Sequence, residues 1–117
     1  LKFNPEAPEI YNTLGAALRA KGDTEGSRTA LQEAARLNKL KTNRQGATFS
    51  LNTGLANLKA GKIDEAIAQF ENVVKLTPDN AEGFYNLAKA LKLKGKTIEA
   101  NSAYKKAKEL NPNIKPL

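Results

Sequence analysis

The chain contains no cysteine, no histidine, no methionine and no tryptophan, and its aromatic residues amount to three tyrosines and four phenylalanines. Without cysteine or histidine it has no thiolate or imidazole to hold a metal, no thiol nucleophile and no disulfide. It also lacks the side chain most used for proton transfer near neutral pH. A protein without an enzymatic role and without a cofactor is the expectation. The missing cysteine does not fix a redox compartment, because oxidising and reducing surroundings both tolerate it. The cytoplasm is expected ahead of the periplasm, and localisation is otherwise open. There is no Asn-x-Ser/Thr sequon. No apolar run approaches the ~18 residues that span a bilayer, so a soluble chain with no membrane partner is expected. The sequence opens on Leu1 without a methionine, and Asn4-Pro5 reads like the Asn111-Pro112 that closes a later segment. A piece of a longer protein is therefore expected.

What is present is the composition of a folded domain. Of the 117 residues, 40% are hydrophobic and 26% charged, which separates the chain from disordered sequences. The formal net charge is +7 and the pI is near 9.7. Such a balance attracts acidic partners over a Debye length. It also serves simply to solvate a helical stack with much surface.

The most informative pattern is self-similarity at an offset of 34 residues. Leu87-Ala88, Leu91, Gly95, Ala100, Tyr104, Ala107 and Pro112 align with Thr53-Gly54, Asn57, Gly61, Ala66, Phe70, Val73 and Pro78. A further copy runs through Leu14-Gly15, Leu18, Gly22, Ser27, Leu31 and Ala34, displaced by 39 residues instead of 34. A period of this length means small units that bury their apolar faces only by stacking. The segments are 8–39, 47–80 and 81–112 for the three repeats. Residues 1–7 precede them as the end of an earlier repeat, 40–46 form an insertion and 113–117 a tail.

Helical spacing of apolar residues predicts helices over 8–21, 24–38, 47–60, 63–76, 81–94 and 97–110. Gly22-Asp23, Gly61-Lys62 and Gly95-Lys96 are turns, and Thr77-Pro78-Asp79-Asn80 is a stop followed by a new start. Asn80 is the expected N-cap of the helix it precedes. Between Asn38 and Gly46 no proline stands where Pro78 and Pro112 do, so the second helix is free to run on to Lys41 or Arg44, with Gly46 as its break. No segment alternates like a strand, and the expected fold is all-α.

These residues resemble the tetratricopeptide repeat (TPR) family over nearly the whole chain. The resemblance implies an α-solenoid of three helix-turn-helix repeats in a right-handed superhelix. It implies small residues at the crossings, Gly15, Gly54 and Ala88 on the first helices and Ser27, Ala66 and Ala100 on the second. Leu31, Phe70 and Tyr104 would fill the space between successive pairs. Ser50 and Asn57 depart from the family pattern, which has large residues there, so the middle repeat is expected to be under-packed.

Phosphate-loop chemistry fails on inspection. Gly95-Lys96-Thr97 lacks a glycine at Ala90 and sits between helices. Asp64-Glu65 and Glu6/Glu9 lie at a turn and at a helix start, where they complement the macrodipole. The resemblance instead implies a protein-binding scaffold whose first helices line a concave groove. Projected onto this chain, the groove takes Asn12 and Arg19 from the first repeat. Leu51, Asn52 and Leu55 come from the second, and Tyr85, Asn86 and Lys89 from the third. Relatives that clamp a chaperone's C-terminal carboxylate need five polar positions, of which only Asn52 is met here. Glu82 at another of them would repel a carboxylate.

Asn52 and Asn86 are equivalent, and an asparagine ladder both donates to and accepts from an extended backbone. Leu51, Leu55 and Leu58 share a helix face and are either core or an exposed apolar anchor. The expected ligand is an extended or helical segment with an apolar anchor and acidic character. Self-association through open solenoid ends is the alternative. RNA binding is less expected, because Tyr85 is the one aromatic on that face.

Overall fold

The computed structural model describes residues 8–117 and, among them, five α-helices and no strand. The leader 1–7, with Asn4-Pro5 and Glu6, lies outside the described residues. None of the helices described is long and apolar enough to cross a membrane. The chain divides into two compact units, Leu1–Thr42 and Asn43–Leu117.

In the first unit, α1 (Pro8–Ala20) starts on a proline, whose missing N–H is no loss in a first turn. It ends where Gly22 takes a φ of 83°, a conformation that a side chain would strain. Asp23 N–H then reaches back to the Leu18 carbonyl at 2.8 Å, closing the helix end. The Asp23 carboxylate also accepts from Gly26 N–H at 2.9 Å, so one residue ends α1 and caps α2. The α1/α2 crossing is close: a Cβ on Gly15 would lie 2.9 Å from Leu31 Cγ. Ser27, Ala30, Ala34 and Leu37 are buried along α2.

Helix α2 runs unbroken from Thr24 to Lys59, 36 residues. This corrects the expected break at Gly46. The segment 40–46 is part of the helix, which passes Lys41 and Arg44 and continues through the predicted 47–60 helix. Two physical reasons account for it. No proline removes an N–H along this stretch. Gly46 is not among the glycines with positive φ; a Cβ there would stand 3.2 Å from Leu76 Cδ1. The glycine makes room for a neighbouring side chain and does not turn the chain.

The second unit holds the last part of α2 with α3 (Ile63–Leu76), α4 (Ala81–Leu93) and α5 (Thr97–Leu110). The α1 ending recurs at Gly61 and Gly95, where Lys62 N–H bonds Asn57 O at 2.8 Å and Lys96 N–H bonds Leu91 O at 2.9 Å. Asn80 caps α4, its side chain accepting from Gly83 N–H at 3.1 Å, as expected. The core joins Ala66 and Phe70 of α3, Leu87, Ala88, Ala90 and Leu91 of α4, and Ala100 and Ala103 of α5. Alanine dominates because the helix axes approach closely at these crossings. Phe70 and Val73 are the largest side chains wholly enclosed. At Ser50, where the repeat pattern has a large residue, the buried hydroxyl accepts from Asn72 Nδ2 at 2.7 Å. A polar pair takes part of the space that an aromatic ring would fill.

Candidate functional site

The residues singled out in the sequence fall into both units. Asn12 and Arg19 lie on α1 in the first. Leu51, Asn52 and Leu55 on α2, with Tyr85, Asn86 and Lys89 on α4, lie in the second.

In the second unit the leucine stripe divides. Leu51 and Leu58 pack against the core, while Leu55, between them on the stripe, is 37% exposed. One leucine of the three thus offers an apolar foothold at the surface. The two asparagines also differ: Asn52 is exposed, whereas Asn86 is 5% exposed. An even ladder of two accessible amides is therefore absent, and Asn52 is the accessible rung.

Tyr85 is the hub of the α4 part. Lys89 Nζ sits 5.6 Å from its ring centroid, one turn along the same helix, in cation–π range. The Tyr104 ring of α5 lies 6.4 Å away at a 52° tilt, an arrangement aromatic quadrupoles favour. The Tyr85 hydroxyl donates to the Pro116 carbonyl at 3.3 Å, and Leu117 packs against the core cluster. The tail thus lies beside Tyr85. Sequence reading missed this contact; the apolar Leu117 after Pro116 was its only signal, and spacing alone does not say where a tail folds.

In the first unit, Leu31 was expected to fill an inter-repeat space, but it is 44% exposed. Its equivalent Phe70 is fully buried because α4 lies over α3. Among the described residues of the first unit Leu31 has no such cover, since α1 and α2 are the unit's two helices there and no turn follows Leu31 within it. Asn12, Gly15, Ala16 and Arg19 of α1 line a depression of about 390 Å³ with Ser27 and Leu31 of α2.

Chemically the site offers amides, cations, one aromatic ring and apolar footholds. No cluster of three or more metal-ligating side chains occurs among the described residues. Two ion pairs, Glu33–Arg36 and Asp64–Lys94, are present among them, and neither involves Arg19 or Lys89.

Paired helices with glycine turns, alanine crossings and repeat-equivalent residues define a helical-repeat protein. A Tetratricopeptide repeat profile matches residues 12–71, a second matches 81–114, and a TPR repeat profile matches 54–95. The chain belongs to the tetratricopeptide repeat family. Among solved structures it is similar to a crystal structure of MamA, with 27% identity and a TM-score of 0.55 over 93% of this chain. It is also similar to another crystal structure, of MamA protein, with 25% identity and a TM-score of 0.53 over 96% of this chain. The chain spans 61% of the length of each. No curated protein matches it. Repeats of this family generally mediate protein–protein interactions and are typically non-catalytic scaffolds.

Proposed function

We propose that the chain is a non-enzymatic scaffold that grips a segment of a partner protein on the face carried by α2 and α4 of its second unit. The ligand is an extended or helical segment with an apolar anchor and acidic residues. Leu55 takes the anchor, Asn52 bonds the ligand backbone, and Tyr85 and Lys89 meet the apolar and acidic side chains. The observation that carries this reading is Leu55, a large apolar side chain 37% exposed, on the helix that also exposes Asn52. Buried under a ligand, its remaining surface contributes at most about 1 kcal/mol. Affinity therefore comes from several such contacts together, less the cost of ordering the segment.

The test is selection of binders to the whole chain from a random peptide library, followed by titration against Leu55→Asp and Lys89→Glu. Selected peptides rich in Asp/Glu with one large apolar residue, weakened about tenfold or more by each variant, support the reading. Peptides of no shared chemistry, or indifferent to both substitutions, contradict it.

A further inference from the structure

We infer that the groove between α1 and the first half of α2 is a second docking surface, which takes an acidic amphipathic helix of a partner protein. Two adjoining depressions, of about 390 and 650 Å³, share Arg19, Ser27 and Leu31 in their walls. Gly15 and Ser27 form a buried floor without bulk, and Leu31 stands 44% exposed above it.

The shape of the occupant is read from the chain's own second unit. Leu31 and Phe70 are equivalent, as are Ser27 and Ala66, and Gly15 and Gly54. Over Phe70 and Ala66 lies a helix, α4, which buries both completely. The same constellation of small floor and large apolar knob is therefore, within this molecule, a seat for a helix. Around Leu31, 44% exposed, no such helix lies among the described residues of the first unit.

The charge of the occupant is read from the walls. Arg19 and Arg28 line the groove, and among the described residues no aspartate or glutamate does. Neither arginine is in an ion pair among the described residues. A helix seated here brings its flanks against two guanidinium groups, which accept carboxylates with two parallel hydrogen bonds. A second copy of the chain is a poor match. The stretch that would occupy this seat by repeat equivalence, residues 47–59, has no acidic residue and ends in Lys59, and each copy carries +7. The occupant is another protein's acidic helix, separate from the ligand of the α2/α4 face in the second unit.

The experiment uses the whole chain and two synthetic helical peptides with the same Leu/Ala stripe, flanked by Glu in one and by Lys in the other. Binding is followed by fluorescence anisotropy at low and raised salt. The Glu peptide is expected to bind at least about tenfold tighter than the Lys peptide, and to weaken as salt screens the arginines. Leu31→Asp reduces that binding about tenfold or more. Arg19→Glu with Arg28→Glu, both at exposed positions, reverses the preference while helicity by circular dichroism stays unchanged. All arms are measured in a Leu55→Asp/Lys89→Glu background, which removes the acidic-segment site proposed on the second unit, so that the remaining Glu preference belongs to this surface. Equal binding of both peptides, or indifference to the Arg19/Arg28 exchange, overturns the inference. So does a Leu31-dependent dimer in sedimentation with neither peptide bound.

Discussion

Gly54 of α2 faces the Phe70 ring of α3 so closely that a Cβ at position 54 would lie 2.6 Å from the ring's Cε1. The ring is wholly enclosed, so it has no free side to move toward. Gly54→Ala gains up to about 1 kcal/mol of helix propensity but forces this crossing apart, at a typical cost of about 1–3 kcal/mol. Net destabilisation is expected, seen as a lower urea midpoint with an unchanged slope. A midpoint equal to or above that of the parent contradicts the packing described.

Gly46 gives the opposite expectation. Its near neighbour is the end of the flexible Leu76 side chain at 3.2 Å, which yields more readily than a ring. As a helix-interior residue with negative φ, Gly46→Ala is expected to be neutral or to stabilise by up to about 1 kcal/mol. A clear loss of stability would mean that residue 46 needs a backbone conformation only glycine adopts, and the continuity of α2 would fail.

Phe70→Ala and Leu31→Ala form a matched pair at equivalent repeat positions. The first empties an enclosed site and is expected to cost about 3–5 kcal/mol. The second removes a side chain 44% exposed and is expected to cost about 1 kcal/mol. Similar losses at both positions would show that something covers Leu31 in solution.

Glu33 and Arg36 are one turn apart on α2, with Arg36 Nε donating to Glu33 Oε2 at 3.0 Å. That hydrogen bond outweighs desolvation and holds the Glu33 carboxyl below its ordinary value. Because the folded value is the lower one, the pair's contribution is complete above the ordinary carboxylate range. It is lost as pH falls through the depressed value. Glu33→Gln is expected to lower stability slightly at neutral pH, with parent and variant converging in acid. The gap is small because both side chains meet solvent. Curves that diverge as pH falls would reverse the sign and contradict the assignment.

Much of this was legible in the residues, and the parts that were not have physical reasons. Gly61, Gly95 and Asn80 act locally, through positive φ and a side-chain cap, so the bounds of α3 and α5 match the expected 63–76 and 97–110. Gly46 misled because a glycine that admits a neighbouring side chain and one that turns the chain look alike in one dimension. Leu31 misled because the family pattern presumes a following turn, which the proline-free stretch after Asn38 does not supply. At the candidate site, repeat equivalence located Asn52 and Asn86 but not their accessibility. Burial depends on which helices cross above a residue, and Asn86 lies within the packed second unit while Asn52 faces solvent.

The central claim is that the α2/α4 face of the second unit recognises a segment of another protein. It is tested most directly by methyl and amide NMR of the whole chain, titrated with an acidic peptide selected from the random library. The account predicts shifts clustered on Leu55, Asn52, Tyr85 and Lys89, together with intermolecular Overhauser contacts from the Leu55 methyls to the peptide's apolar residue. Shifts absent from these four residues while the peptide is demonstrably bound would contradict it.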